Sequence, residues 1–384
     1  MRICILNPFF YPYAGGTEKM LLQLYGRLAK RHQVSAITAA LDDGSRPSVE
    51  HINGIKVTRL KTRYIDLPGL PLPFMRMEGV REAIIREKAE IYHINNRFVF
   101  YNGALKAIKD VGGKLVLTIH NALPKNIDML TDTGGLVYDI AMGRRTMAAA
   151  DLIVTVSKSA LRDTVPVRMR GKATTIYNGI NSSIFAPARK GDANVARIRR
   201  KLGGGRIILN NGRLTPQKGQ IYLLRAMHNL REKGAKDVSL TIIGRGPLQE
   251  WLESGAAALG IRDRVRIVSG IPEEELPYYY NAADVFAFTS LYEPCAMALL
   301  EAMASGMPIA TTRAGGNPEL ARDAALYIRE RDPADTAEKA MQLLSDRKGA
   351  ARLGRLARSY IVKHHNWDNI ARQYEDAFEG VLRG

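Results

Sequence analysis

The sequence is poor in the features that build a small secreted fold or a membrane span. Two cysteines, Cys4 and Cys295, exclude a disulfide framework and show no metal-ligand spacing. Such sparse use fits a reducing compartment. No apolar run approaches the roughly 20 residues that cross a bilayer. The opening MRICILNPFF breaks its apolar stretch at Asn7 and Pro8, so it reads as a strand and not a signal peptide. Aromatic residues reach only 7%, which leaves little for base stacking, and no nucleic-acid motif is present. Acidic side chains are also scarce: 38 Asp and Glu face 56 Lys and Arg, a formal charge of +18. A surplus of that size implies an anion nearby, whether nucleic acid, a phosphorylated substrate or an acidic membrane surface.

What is present is globular. Hydrophobic residues make up 46% and charged residues 24% of 384, which excludes wholesale disorder and suits two domains. The surplus is uneven. Residues 1–200 hold 31 basic and 16 acidic side chains, whereas residues 201–384 hold 25 and 22. Short apolar runs alternate with helical periods, the pattern of parallel sheets with helices on both faces. In the first half the strand candidates are 2–6, 34–38, 55–60, 91–94, 114–120, 152–157 and 173–177. In the second half they are 206–212, 238–244, 265–270, 285–290 and 308–312. These make two consecutive doubly wound α/β units. The boundary falls near 181–205, between Asn181-Ser182-Ser183 and Gly203-Gly204-Gly205, and divides 1–185 from 186–362. The segment 162–206 carries eleven Lys or Arg against two acids, and a solvated linker helix accounts for it.

Doubly wound sheets bind ligands beyond the carboxyl ends of their strands. Four loops there carry chemistry. Gly15-Gly16-Thr17 opens a helix over 16–31 and lets an anion approach backbone N–H groups, although a plain tight turn reads equally well. NNGRLTPQKGQ (210–220) offers Gly212 with two cations, Arg213 and Lys218, a fork and a point charge suited to a diphosphate. TIIGRGP (241–247) is a glycine loop holding Gly244 and Arg245. TSLYEPCAMALLEAMASG contains Glu293 and Glu301, eight residues apart around a helix start. Eight helical residues rise about 12 Å, too far for the nucleophile–acid pair of a retaining glycosidase. That spacing suits two carboxylates holding hydroxyls at opposite ends of a ligand, with the N–H groups of Cys295, Ala296 and Met297 facing phosphate between them. A ligand of that shape is a nucleotide sugar.

These motifs resemble the retaining family-4 glycosyltransferases of the GT-B fold, the "glycosyl transferases group 1". The resemblance spans nearly the whole chain. It rests on PFFYPYAGGTEKMLLQLYGRLAKRHQVSAIT, GRLTPQKG, IIGRGP, Glu293 to Glu301, and GGNPEL, with smaller matches at TIHN, TVSKS and IYNGIN. It implies two Rossmann-like domains facing a cleft, with the segment 363–384 packing back on the first. The first domain takes the acceptor and the second the nucleoside-diphosphate sugar. By the same resemblance Arg213 and Lys218 neutralise the donor diphosphate, Glu301 binds ribose hydroxyls and Glu293 holds donor-sugar hydroxyls. Gly244, Arg245, Gly270 and Ile271 line the nucleotide, Gly16 belongs to a loop that comes close to the diphosphate and the acceptor, and His120 stands beside the donor sugar. No metal or other cofactor is expected.

The chain departs from the family pattern in places. Ala296 stands where glycine is usual, which demands a negative φ there. Asn95 replaces a histidine often found two residues after His93, and Asn181 replaces an aspartate. His93 reads as a satisfied structural histidine as readily as a functional one. The expected activity is retaining transfer of a sugar to an acceptor hydroxyl on a sugar, a lipid-linked glycan or another carrier of the cell envelope. The segment 61–79, with Lys61, Arg63 and Arg76 around Phe74 and leucines, suits docking on an anionic membrane surface, or packing on its own domain. The expected location is cytoplasmic, free or peripheral on the membrane. A nucleotide-sugar 2-epimerase of the same fold is the first rival reading. A nucleic-acid-binding protein is the second, and no nucleic-acid partner is expected.

Overall fold

The structure is a computed structural model, and it describes residues 1–12, 16–40, 48–65, 74–96, 102–121, 133, 136, 140 and 143–384. The chain divides into two compact units. The first comprises residues before Gly179 together with Trp367–Gly384, and the second is Gly179–Asn366 with a short segment outside the described residues. The strands of the first unit are β1 (Arg2–Leu6), β2 (Gln33–Ala39), β3 (Ser48–Ile52), β4 (Ile55–Leu60), β5 (Thr62–Ile65), β6 (Phe74–Met77), β7 (Ile91–Asn95), β8 (Lys114–Ile119), β9 (Leu152–Thr155) and β10 (Ala173–Thr175). Eight of them form one sheet in the order β10-β9-β8-β7-β1-β2-β4-β3, parallel except for β3, while β5 and β6 pair as a separate antiparallel ribbon. The second unit has β11 (Arg206–Asn211), β12 (Val238–Ile243), β13 (Val265–Val268), β14 (Val285–Phe288), β15 (Ile309–Thr312) and β16 (Leu326–Ile328). Its sheet runs β13-β12-β11-β14-β15-β16, with parallel neighbours throughout.

Strand periodicity explains why RICIL is buried from Ile3 to Leu6. Ile3 and Ile5 join the core that includes the helix Gly16–Leu28 and the helix Trp367–Arg383, whereas Cys4 and Leu6 join the core on the other face. The last helix presents Trp367, Ile370, Ala371, Tyr374 and Phe378 to the first of these cores. Its stripe repeats at helical spacing, and the face it covers is the side of β7 and β8 that carries His93 and Thr118.

The division between units lies at Asn178/Gly179 and not at 185/186, because residues 180–188 are fastened to the second unit. Ile180 N donates to His365 O at 2.7 Å, Ala188 N donates to Asn281 Oδ1 at 2.7 Å, and Arg358 donates to the carbonyls of Ser182 and Phe185. The returning segment begins at Trp367, since the preceding helix Arg347–His364 packs within the second unit. The helix expected over 16–31 ends at Leu28. No helix among the described residues is long and apolar enough to cross a membrane.

Candidate active site

The order of the second sheet reverses between β11 and β14, so the loops after these two strands stand at its switch point. After β11 come Gly212 and Arg213, then a 3-10 turn Pro216–Lys218, then Gly219 opening the helix Gln220–Glu232. Gly219 has φ 63°, and a Cβ there would strike the Thr289 carbonyl, so only glycine serves. Leu291 N donates to Gln217 O at 2.8 Å, and Gln217 Nε2 donates to Tyr292 O at 2.8 Å, lacing this turn to the loop after β14. On the other side Leu214 N donates to Arg245 O at 2.9 Å, and a Cβ on Gly244 would collide with the Gly212 carbonyl. Three strand-end loops thereby form one surface.

The charged groups on that surface are held in different ways. Lys218 forms an ion pair with Glu293, both side chains largely buried, and its ammonium lies 5.6 Å from the Phe288 ring centre. Arg213 is exposed, and its guanidinium has no hydrogen bond or ion pair among the described residues. Arg245 is also exposed, and its guanidinium occupies the space a side chain at Gly270 (φ 70°) would need; Ile271 follows, half-buried. Glu301 Oε2 accepts from the Tyr280 hydroxyl at 2.7 Å and from Asn211 Nδ2 at 3.3 Å, and Asn211 Nδ2 lies 2.8 Å from the same hydroxyl. Burial and the Glu301 charge hold the Tyr280 pKa well above its usual value, which keeps the hydroxyl a donor. Sequence reasoning missed Tyr280 and Asn211. The only signal was Asn211 standing directly before Gly212 and Arg213.

One geometric expectation fails. Glu293 does not lie on a helix: the helix is Met297–Ala304, with Ala296 as its N-cap at φ −75°, ψ 111°. The helical rise therefore does not set the distance from Glu293 to Glu301. Glu293 is buried on a loop whose carbonyl accepts from Gly316 N at 2.7 Å, and Gly315 packs so closely that a Cβ would strike the Glu293 backbone. GGNPEL is thus the backing of Glu293. The negative φ of Ala296 meets the demand set by the missing glycine. Cys295 is half-buried beside it.

In the first unit, Gly16 is the exposed first residue of its helix, and a Cβ there would meet nothing within 4 Å. His120 follows β8. Its backbone N donates to Asn96 Oδ1 and its Nε2 lies 3.0 Å from Asn95 Oδ1, while burial lowers its pKa to about 4. His93 is fully buried, with Nε2 2.6 Å from Thr118 Oγ1 and Nδ1 hydrogen-bonded to the Tyr25 hydroxyl. Burial, with a smaller contribution from His120, takes its pKa down to about 3. Both rings are neutral at neutral pH, and His93 is a satisfied core histidine. Lys61 and Arg63 share one partner, Glu78, and residues 66–73 of that segment lie outside the described residues.

Comparisons with known proteins bear on the family and the fold. Residues 194–377 match the family described as Glycosyl transferases group 1, and residues 14–184 match Glycosyltransferase Family 4. The chain is 30% identical over 400 residues to the GDP-mannose-dependent alpha-(1-6)-phosphatidylinositol monomannoside mannosyltransferase of Mycobacterium tuberculosis, covering 99% of this chain and 98% of that one. It is 28% identical over 371 residues to the uncharacterized glycosyltransferase MJ1607 of Methanocaldococcus jannaschii, with 92% and 91% covered. The structure of Anabaena HepE in complex with UDP and glucose superposes with a TM-score of 0.78 at 18% identity, covering 99% and 100%, a likeness of fold. Two parallel-sheet Rossmann-like units, and matches of this length, place the chain in a family: it belongs to the group 1, family 4 glycosyltransferases, with the GT-B fold.

Proposed function

We propose that this glycosyltransferase moves a sugar from a nucleoside-diphosphate sugar to an acceptor hydroxyl with retention at the anomeric carbon. The observation that carries the reading is the lacing of the Arg213–Lys218 turn to the Glu293 loop at one switch point. Arg213 and Lys218 take the charge of the departing diphosphate, together with the first N–H groups of the helix Met297–Ala304. As the diphosphate engages Lys218, Glu293 is released to accept donor-sugar hydroxyls. Glu301, oriented by Tyr280 and Asn211, accepts ribose hydroxyls, and Gly244, Arg245 and Ile271 border the nucleotide. In the first unit, Gly16 and His120 keep the roles that the family resemblance implies for them. The bond from the anomeric carbon to the diphosphate breaks, the acceptor oxygen bonds on the same face, and the acceptor proton passes to the leaving diphosphate oxygen. Two cations and a helix N-terminus suffice for that charge, so no resident metal or other cofactor enters the reading.

The acceptor is proposed to be a lipid-linked glycan of the cell envelope, reached at the cytoplasmic face of an anionic membrane. Support comes from the basic surplus of residues 1–200 and from the mycobacterial relative, whose name places its acceptor on phosphatidylinositol. The test is transfer of label from UDP-, GDP- and ADP-sugars into a lipid extract. Arg213→Ala and Lys218→Ala should each lower transfer about 100- to 1,000-fold; melting temperature is preserved in Arg213→Ala and falls in Lys218→Ala, which leaves Glu293 buried without its partner. Unchanged transfer in both variants overturns the assignment. Incubating the donors without acceptor separates transfer from 2-epimerisation.

A further inference from the structure

We propose that Asn95 is a positioning residue that holds His120 as its Nε2–H tautomer, leaving Nδ1 as the ring atom that accepts a hydrogen bond from a ligand. The inference deepens the reading of His120 as part of the transfer site and rests on that reading.

It starts from a row of polar groups inside the first unit, all on the sheet face covered by the last helix. Asn95, His93 and Thr118 are fully buried, and β7 and β8 pair in a register that sets Asn95 opposite Thr118. One contact joins His120 Nε2 to Asn95 Oδ1 at 3.0 Å. Beside it a chain runs from the Tyr25 hydroxyl to His93 Nδ1, from His93 Nε2 to Thr118 Oγ1 at 2.6 Å, and from Thr118 to the Tyr374 hydroxyl at 3.3 Å. The Asn95 amide nitrogen is buried and has no hydrogen-bond partner among the described residues.

Two facts set the His120 tautomer. Asn95 turns its oxygen to His120 Nε2, and an amide oxygen can only accept. His120 is neutral, because burial depresses its pKa to about 4, so its one ring proton is the one that Nε2 donates. Nδ1 has no partner among the described residues. It is the atom left for a hydroxyl donor.

The consequence is chemical. A sugar hydroxyl meets His120 as a hydrogen-bond acceptor, and the choice is made by a residue behind the ring. A histidine at this position could play either part; Asn95, with its oxygen turned to the ring, plays one.

The experiment is nitrogen NMR of histidine side chains in the full-length protein at pH 7, with His120 assigned by its loss in His120→Gln. The expected spectrum shows a protonated Nε2 and an unprotonated Nδ1. Asn95→Asp keeps the acceptor and should keep Nε2–H, whereas Asn95→Leu removes it and should lose the bias, with Nδ1–H signal gained. A protonated Nδ1 in the wild-type protein overturns the proposal, and this reading needs no variant to fold. An unchanged tautomer in a folded Asn95→Leu protein also overturns it. Failure of the transfer reading would show separately, as unaltered transfer in Arg213→Ala and Lys218→Ala.

Discussion

At the scale of residues, the candidate site depends on groups whose partners come from far along the chain. Glu301 was visible from its motif, but Tyr280, which orients it, sits in a YYYN run that reads only as helix. Tyr280→Phe removes a hydrogen bond to a charged group, worth about 1.5–3 kcal/mol, and should weaken nucleotide binding by roughly tenfold or more. The rise in melting temperature on adding UDP, GDP or ADP reads this directly, and an undiminished rise would remove Tyr280 from the donor site. His93 and His120 looked alike in the sequence, each ending a strand. What separates them is Tyr25 and Tyr374, which enclose His93 alone. His93 also gives stability a sign. Its folded pKa of about 3 lies below the ordinary value of 6.5, so between those values the unfolded chain takes up the proton and the folded one does not. Its contribution is complete above pH 6.5 and declines as pH falls towards 3, with a slope of at most about 1.4 kcal/mol per pH unit. The melting-temperature gap between wild type and His93→Asn should therefore narrow from pH 7 to pH 5. A constant gap would mean that the ring is charged in the folded protein.

At the scale of elements, apolar runs revealed the central parallel strands because both faces of a doubly wound sheet are buried. The same rule hid β3 (SVEHI) and β16 (LYI). One is a polar, largely exposed edge and the other a three-residue edge, and neither has an apolar run to find. The last helix shows the remaining limit. Its stripe from Trp367 to Phe378 announces a buried face, yet periodicity says nothing about which unit covers it; here the cover is the core around Ile3, Ile5 and Tyr25. Truncation after Asn366 strips Trp367, Ile370, Tyr374 and Phe378 from that core. Four losses of about 2–5 kcal/mol each together are as large as the roughly 5–15 kcal/mol that a domain holds in reserve. Hydrogen exchange should then show β1 and β7 unprotected while β11 and β12 of the second unit keep their protection. Protected β1 amides in the truncated chain would mean that the helix is dispensable packing.

At the scale of the whole molecule, the question is how much of the +18 is free to meet an anion. The dense run 162–206 spends most of its cations internally: Arg162 on Asp163, Arg197 on Glu275, Arg199 on Asp284, Arg206 on Asp237, Lys201 on the Tyr279 hydroxyl, and Arg170 and Lys172 on backbone carbonyls. Around 61–79, Lys61 and Arg63 are offset by Glu78. The helix Arg347–His364 is different, for it contains no acid. Arg347, Lys348, Arg352 and Arg355 are exposed along it, with Leu356 at 44% and Val362 at 39% exposure among them. Basic groups interspersed with apolar ones on a helix surface suit an anionic interface, and each cation near such a surface contributes about 1 kcal/mol. If the acceptor resides in a membrane, the protein should sediment with phosphatidylglycerol vesicles at low ionic strength and leave them as salt shortens the Debye length. Replacing Arg352 and Arg355 by glutamate should reduce that binding by more than tenfold, since two attractions become two repulsions, while nucleotide-induced thermal stabilisation stays intact. Binding that survives the double replacement would move the docking surface to the first unit, where the larger share of the charge lies. No binding to these vesicles at any salt concentration would instead assign the acceptor to the soluble phase.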